Sequence, residues 1–162
     1  MLDIFTGDIY HARKGIGAYK NNKIITGNEN TKVSKSLFGI NLSIDEPLAD
    51  FAARYNFILN KPLKIRSLGS DGLSLGLLAS GALDVFLNLR KKTRILDIAA
   101  GYIIALEAGC HVWDLEGNTL DAPIALMSRV SFLGFNKGFT KFFSENISAL
   151  SKVFKEQPSF YD

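Results

Sequence analysis

From residue 37 onward, the hydrophobic and polar positions switch between the alternation typical of strands and the three-to-four spacing typical of helices. In chain order, this pattern predicts strand 37–43, helix 45–59, strand 63–67, helix 72–80, strand 83–89, helix 97–108, strands 111–114 and 130–135, and helix 137–153. Such alternation is typical of a sheet covered by helices. We therefore predict an α/β protein, a layered mixed sheet flanked by helices.

The first part of the chain follows a different pattern, of short strands joined by tight turns. Residues 2–5 and 8–13 predict a hairpin around Thr6-Gly7. Asn21-Asn22 predicts a second turn, because asparagine tolerates a positive φ. Residues 27–35 are polar and are predicted to form a loop.

The predicted helix 45–59 has both a start signal and an apolar stripe. Asp45 offers an N-cap oxygen, and Pro47 suits the first turn. Apolar residues then recur at spacings of three and four, namely Leu48, Phe51, Ala52, Tyr55, Ile58 and Leu59. We expect this stripe to pack on the sheet as part of the core rather than to bind a cofactor.

Composition places the chain among soluble globular proteins. Its 162 residues are 47% hydrophobic and 22% charged, which is enough for one domain with its own core. The longest apolar stretch, 73–89, is broken by glycines, an aspartate and an asparagine, and is a poor membrane span. Cys110, the single cysteine, cannot form an internal disulfide. We therefore predict a cytoplasmic protein that does not bind membranes.

The charge pattern argues against a nucleic-acid surface. The net charge is +3 and the pI is near 9.0, yet the basic residues are scattered. The dense cluster is Arg90-Lys91-Lys92-Thr93-Arg94. Because nucleic-acid binding needs a broad basic face, we predict no nucleic-acid partner.

The segment from Ser67 to Leu73 joins a predicted strand to a predicted helix and contains Gly69 and Ser70. Glycine lets the backbone come close to a ligand, and the free N–H groups of the helix carry partial positive charge. The turn therefore suits an anionic or polyhydroxyl ligand. Taken alone, a Gly-Ser turn before a helix is more often structural.

Asp97 stands at the start of the predicted helix 97–108. Aspartate is a common N-cap, because its carboxylate accepts backbone N–H bonds. A carboxylate can also bind a hard cation such as Mg²⁺, but one carboxylate is too few for such a site. Taken alone, the capping role is the more common of the two.

Taken together, the segments of this chain resemble the inositol monophosphatase superfamily. That family has a hairpin before its domain junction, then a Gly-Ser turn, a helix ending in a Gly-x-x-Asp strand entry, and a Trp-Asp-x-Ala-Ala-Gly helix ending Glu-Ala-Gly-Gly. The matching segments here are Gly7-Asp8-Ile9-Tyr10, Ala12-Arg13-Lys14-Gly15-Ile16-Gly17, Ile65-Arg66-Ser67-Leu68-Gly69-Ser70, Ala79-Ser80-Gly81-Ala82-Leu83-Asp84, Leu96-Asp97-Ile98-Ala99-Ala100-Gly101 and Glu107-Ala108-Gly109. The resemblance weakens after about Asp121.

The resemblance implies stacked layers of helix and sheet and a phosphatase reaction in which Mg²⁺ ions activate water. Asp97 matches the metal ligand that this half of the family contributes. Gly69 and Ser70 match the turn that meets the substrate. Glu107 lies about 15 Å farther along the helix, too far to share the metal of Asp97, and is predicted to be structural.

Three departures from the family pattern stand out. Leu96 and Cys110 replace a tryptophan and a glycine, which are packing changes. Asp71-Gly72 stands where many members have two alanines. Arg90 occupies the place of a glutamate that binds inositol hydroxyls in inositol-selective members, and its guanidinium favours a second phosphate or another anion. The pattern Arg90-x-Lys92-x-Arg94-x-x-Asp97 resembles the archaeal branch with both inositol monophosphatase and fructose-1,6-bisphosphatase activity.

The resemblance also implies that this sequence holds part of the family's site. The other metal carboxylates of the family precede its hairpin, in Gly-x-Glu-x and Asp-Pro-x-Asp-Gly-Thr segments that this sequence lacks. Residues 1–35 are thus predicted to be a β-hairpin and loop from the end of an N-terminal sheet domain that precedes them. Residues 36–162 are predicted to be the C-terminal α/β domain.

The predicted function is therefore part of a Mg²⁺-dependent phosphatase of inositol monophosphate, fructose 1,6-bisphosphate or both, incomplete as given. The resemblance assigns substrate binding to Gly69, Ser70 and Arg90 and metal binding to Asp97, with no residue assigned to acid–base catalysis. A homodimer is typical of the family. The alternative is a non-catalytic module that binds sugar phosphates, and a third reading is an unrelated α/β domain that binds a phosphosugar through the same turn.

Overall fold

A computed structural model describes residues 1–42 and 47–156 of the chain. Its strands are β1 (Tyr10–Arg13), β2 (Gly17–Lys20), β3 (Lys23–Ile25), β4 (Leu37–Ile40), β5 (Lys64–Arg66), β6 (Val85–Arg94), β7 (His111–Trp113) and β8 (Arg129–Phe135). Its helices are α1 (Leu48–Arg54), α2 (Asn56–Leu59), α3 (Asp71–Ala79), α4 (Ile95–Glu107) and α5 (Thr140–Lys155), with 3-10 turns at Val33–Lys35 and Lys137–Phe139.

The larger sheet has the strand order β5-β4-β6-β8-β7 among the described residues. Strands β5, β4 and β6 run parallel, whereas β8 pairs antiparallel with both β6 and β7. The prediction of a mixed sheet flanked by helices is therefore confirmed. Because β5 and β6 both lie parallel to β4, their carboxyl ends meet at one edge of the sheet, the edge at which α/β proteins commonly bind ligands.

Hydrophobic side chains cover both faces of this sheet, because successive residues of a strand point to opposite sides. On one face, Val85 and Leu87 of β6 pack with α1, α2 and α5. On the other face, Phe86 packs with Leu75 of α3 and Ile98 of α4. The sheet thus lies between two helical layers, and α3 and α4 form one of them.

A second, three-stranded antiparallel sheet, β1-β2-β3, packs on the far side of α3 and α4. Tyr10 and Ala18 on its inner face are fully buried against the two helices. On its outer face, His11 and Tyr19 stack with ring centroids 5.1 Å apart, and Ile24 is 68% exposed. The outer face of this small sheet is therefore open to solvent among the described residues.

The structure confirms the second predicted turn but not the first strand. Asn21 and Asn22 have φ of 49° and 62° and join β2 to β3. The predicted strand 2–5 is wrong, because its pairing is limited to an isolated bridge between Leu2 and Ile9. The Asp3 carboxylate accepts a bond of 3.0 Å from the backbone N–H of Phe5, which bends the chain into a turn.

The predicted helix 45–59 is interrupted at Tyr55 and becomes the two short helices α1 and α2. Of the predicted stripe, Phe51, Tyr55 and Ile58 are buried in the core, whereas Leu48 is 64% exposed. The proposed N-cap, Asp45, lies outside the described residues. The predicted strand 37–43 likewise runs into that gap, and its described part ends as β4 at Ile40.

Residues 90–94, which follow the end of the predicted strand 83–89, are part of β6 in the structure. The strand bulges between Asn88 and Thr93, then resumes its pairing with β8 through Thr93 and Arg94. A bulge leaves residues outside the ladder and lets a strand continue past them. Residues 88–93 therefore form an irregular part of the strand, which we call the β6 bulge.

Two carboxylates tie the small sheet and its following loop to the rest of the chain. Glu107 of α4 accepts bonds of 3.0 and 3.1 Å from the backbone N–H groups of Gly15 and Gly17. Asp84 accepts bonds of 2.9 Å from the side-chain amides of Asn28 and Asn30. These contacts support the structural role predicted for Glu107. Within the described part of the chain, no helix has the length and apolar character needed to cross a lipid bilayer.

Candidate functional site

The Gly69-Ser70 turn leads from the carboxyl end of β5 into α3. Gly69 adopts a φ of 71°, a conformation that residues with a Cβ rarely take, and the space around its α-carbon is open. Ser70 is the N-cap of α3, and its Oγ accepts a bond of 3.3 Å from the backbone N–H of Leu73. Both residues are exposed, so the free N–H groups of the helix start face solvent.

Asp97 lies in the first turn of α4, but it does not cap that helix. The helix begins at Ile95, with Arg94 at the N-cap position. The Arg94 guanidinium donates two bonds to the Asp97 carboxylate, from Nε at 2.9 Å and from Nη2 at 2.8 Å. Hydrogen bonding to Arg94 lowers the pKa of Asp97. The prediction that Asp97 begins the helix is off by two residues, because Ile95 and Leu96 already belong to α4, and the backbone N–H of Ile95 donates to the Ser128 carbonyl at 3.2 Å.

Close packing of α3 against α4 brings the turn and Asp97 to the same edge of the molecule. A Cβ added to Gly72 would lie 3.1 Å from the backbone oxygen of Asp97, and a Cβ added to Gly101 would lie 2.8 Å from the backbone oxygen of Gly72. The two helices therefore touch backbone to backbone near their N-termini. As a result, Ser70 and Asp97 stand at neighbouring helix starts, both of which attract anions.

Arg90 lies in the β6 bulge. Its carbonyl accepts a bond of 2.7 Å from the Ser131 hydroxyl, and its backbone N–H donates to the Asn88 side chain at 3.3 Å. Its Nε is buried with no hydrogen-bond partner among the described residues. A buried guanidinium donor without an acceptor is costly, because it loses its bond to water and gains none within the described residues.

The bulge is joined to the first turn of α3 by a polar cluster, which we call the Asp71 network. The Asp71 carboxylate accepts bonds from the side chains of Asn41, of Asn88 at 2.8 Å and of Thr93 at 2.5 Å. The sequence marks Asp71 as a departure from the family but predicts no role for it. A usable signal was present, because Asn41 and Asn88 follow buried apolar strand residues near the same sheet edge.

The fit of this edge to Mg²⁺ is partial. Asp97 is exposed and carries the carboxylate oxygens that Mg²⁺ prefers as ligands, but both of these oxygens accept bonds from Arg94. Over residues 1–42 and 47–156, however, no three histidine, cysteine, aspartate or glutamate side chains come together in a way that could hold a metal ion. The described residues therefore supply one ligand and not a complete cation site.

Comparison with known proteins identifies the family. The family model described as the inositol monophosphatase family matches residues 1–147. The chain belongs to the inositol monophosphatase family. Among characterised proteins, it is 34% identical over 128 residues to a fructose-1,6-bisphosphatase/inositol-1-monophosphatase of Methanothermobacter thermautotrophicus, covering 79% of this chain and 44% of that protein. It is also 37% identical over 143 residues to a bifunctional NADP phosphatase/NAD kinase of Methanococcus maripaludis, covering 83% of this chain and 24% of that protein.

Solved structures agree on the fold of this family member. An inositol monophosphatase of Thermotoga maritima superposes with a TM-score of 0.75 at 25% identity, over 93% of this chain and 54% of that one. Inositol monophosphatase II of Staphylococcus aureus gives a TM-score of 0.79 at 22% identity, over 96% of this chain and 58% of that one. The chain thus spans half or less of the archaeal relatives reported above and little more than half of these structures.

Replacing Arg94 by Gln is expected to raise the pKa of Asp97 toward its ordinary value, because the fork of two charge-assisted bonds is lost. In the native chain, the pair persists above the lowered pKa and is lost as the pH falls through it. Titration of the Asp97 carboxyl carbon by NMR measures the shift. Arg66→Gln serves as the matched control and should leave this titration unchanged. An unchanged curve in Arg94→Gln would contradict the pairing.

Proposed function

We propose that this chain forms part of a Mg²⁺-dependent phosphatase that acts on sugar phosphates or inositol phosphates. The observation that carries the proposal is the meeting of the Gly69-Ser70 turn and the Asp97 carboxylate at two neighbouring helix starts. Family membership and the archaeal relatives named fructose-1,6-bisphosphatase/inositol-1-monophosphatase support it. We further propose that the protein is cytoplasmic and forms a homodimer.

Each site residue has a distinct proposed task. Gly69 and Ser70 bind the phosphate or a hydroxyl of the substrate through the backbone at the start of α3. Asp97 would bind a metal ion through its carboxylate. Mg²⁺, when bound, would supply Lewis-acid chemistry and activate a water molecule. Arg90 binds a second anionic group through its guanidinium, whose planar fork of donors matches phosphate oxygens.

We propose that the part of the relatives that this chain does not span packs on the open face of the small sheet. Residues 1–35 then form the end of that sheet domain, and residues 36–162 form the C-terminal domain. The exposed apolar side chains around this face support the proposal: Ile4, Phe5 and Ile24 are 78%, 91% and 68% exposed. Met1 Sδ would lie 3.7 Å from a Cβ at Gly72, so the N-terminal residues reach the edge that carries Asp97.

A non-catalytic module that binds sugar phosphates is the second candidate. It is favoured by the lack, over the described residues, of a cluster of three metal-ligating side chains. Both candidates require the Gly69-Ser70 turn to bind a phosphate ester. They differ in whether phosphate is released once the rest of the family fold is supplied.

The experiment is complementation. The chain is co-expressed with the region of the Methanothermobacter relative that it does not cover, and phosphate release with Mg²⁺ is measured on inositol 1-phosphate, fructose 1,6-bisphosphate and NADP. The phosphatase proposal expects release that disappears in Asp97→Asn. Binding of the esters without release, in a complex shown to be assembled, would support the non-catalytic module instead.

In the complemented enzyme, Arg90→Glu is expected to lower kcat/KM for fructose 1,6-bisphosphate by about tenfold or more while sparing inositol 1-phosphate. A charge-assisted bond to phosphate contributes ~1.5–3 kcal/mol, and the substitution also places like charges together. Lys141→Glu, the same charge change on the exposed surface of α5, is the control. Equal loss on both substrates, or no loss, would remove Arg90 from substrate selection.

A further inference from the structure

The Asp71 network joins three parts of the fold at one sheet edge. Asn41 follows the end of β4, Asn88 and Thr93 belong to β6, and Asp71 is the first residue of α3. Besides its bond to Asp71, the Asn88 side-chain amide donates to the Thr93 hydroxyl at 2.6 Å. One carboxylate therefore accepts hydrogen bonds from residues in or directly after two parallel strands. Through these bonds, both strands are connected to the helix that follows the Gly69-Ser70 turn.

Burial makes this carboxylate important to its partners. Asn88 is fully buried, and Thr93 and Asn41 are 5% and 8% exposed, so their donors have little access to water. Buried donors without an acceptor carry the full cost of desolvation, whereas bonds to an ionised acceptor are the stronger kind. Asp71 thus provides the acceptor for these buried donors, which an alanine in its place would leave unpaired.

The two β6 residues that bind Asp71 lie on opposite sides of the register shift. Asn88 pairs with Phe132 before the shift, and Thr93 pairs with Val130 after it. From Asn88 to Thr93, β6 advances five positions while β8 advances two, and Arg90 lies among the extra residues of β6. Because Asn88 and Thr93 both donate to Asp71, this carboxylate holds the two ends of the β6 bulge together.

A direct contact of Asp71 with the substrate phosphate is disfavoured. Like charges repel, so a phosphate placed beside the Asp71 carboxylate would be destabilised. Three of the roughly four lone-pair positions of the carboxylate are already used by side chains of this chain. The geometry therefore favours an indirect role over a binding role.

We propose that Asp71 is a positioning residue, which holds the β6 bulge against the first turn of α3 and so sets the place of Arg90 relative to the Gly69-Ser70 turn. The part of this proposal that concerns the substrate rests on the proposed function. The part that concerns the bulge does not, and it can be tested on the chain itself.

The first test uses ¹⁵N NMR of the full chain without ligand. Asp71→Ala and Asp71→Asn are expected to make the Arg90 backbone N–H exchange roughly tenfold faster or more and to increase the mobility of residues 89–92. Amides of α5 should keep their protection. Asp50→Asn, the same exchange at an exposed carboxylate in α1, should change neither region. If Asp71→Ala fails to fold, Asp71→Asn, which keeps the side-chain shape, decides the test. An unchanged bulge in a folded variant would overturn the proposal.

The second test is a double-mutant cycle in the complemented enzyme, with Asp71→Asn, Arg90→Gln and the pair. Since Asp71 acts through Arg90, Asp71→Asn alone should raise KM for fructose 1,6-bisphosphate, and the pair should raise it no further than Arg90→Gln alone. Additive effects would overturn the positioning role. If the native complex neither binds nor hydrolyses any phosphate ester, the proposed function fails, while the NMR test still decides the role of Asp71 in the bulge.

Discussion

The chain assayed alone with Mg²⁺ is expected to be a poor phosphatase, at least about a thousandfold slower than the ordinary enzyme range of roughly 1–1000 per second. Hydrolysis of a phosphate ester by metal ions needs several oxygen ligands to hold each ion and to place the attacking water. The site edge offers the Asp97 carboxylate, and no cluster of three metal-ligating side chains exists among the described residues. Each missing ligand weakens the binding of the metal ion and leaves the attacking water out of position.

A colorimetric phosphate assay on inositol 1-phosphate and fructose 1,6-bisphosphate measures this rate. The control is the complemented complex at the same concentration, which should recover activity in the ordinary range. The chain carrying Asp97→Asn gives the background rate, because the substitution does not affect the activity of a contaminating host phosphatase. Release by the purified chain at more than 1 per second, abolished by Asp97→Asn, would show that the metal site is complete without a partner domain.

The fold could be predicted from the sequence where one local pattern decided it. The strands β4, β6 and β8 are apolar on both faces, and the helices between them carry the three-to-four spacing, so a covered mixed sheet followed directly. The turn at Asn21-Asn22 was equally local, because its positive φ values require residues of that kind. In these regions, tertiary contacts reinforce the choice that the local sequence makes.

The remaining features depend on contacts between residues distant in sequence. At the start of α4, the backbone N–H of Ile95 donates to the Ser128 carbonyl at 3.2 Å. Strand β6 continues beyond its predicted end at residue 89, because Thr93 and Arg94 pair with Val130 and Arg129 of β8. The Asp71 network likewise joins residues 30 and 22 positions apart, Asn41 with Asp71 and Asp71 with Thr93. Local periodicity carries no information on any of these pairings.

The candidate site was predicted from the resemblance rather than from the local pattern. Taken alone, Gly69-Ser70 and Asp97 had a structural explanation as a turn and a cap. Their adjacency depends on how closely α3 approaches α4, and that approach depends on glycine at positions 72 and 101. The distance between the substrate turn and the proposed metal ligand is thus set by helix packing, which makes Gly101 a sensitive point.

Gly101→Val is expected to destabilise the chain by about 3 kcal/mol, because overpacking at a tight contact typically costs ~1–3 kcal/mol and a backbone neighbour cannot rotate away. The added Cβ would lie 2.8 Å from the backbone oxygen of Gly72 and 2.9 Å from the Cβ of Leu75, so α3 must move. Urea unfolding measures the loss. Ala100→Val, the same β-branched residue at the neighbouring exposed position, should cost well under 1 kcal/mol, its helix-propensity term. Because valine has a higher helix propensity than glycine, propensity cannot account for a loss at position 101, and a loss below 1 kcal/mol there would show that the α3–α4 contact accommodates the side chain. Where Gly101→Val still folds, the shift of α3 should also weaken phosphate-ester binding by the complemented complex, whereas Ala100→Val should leave it unchanged.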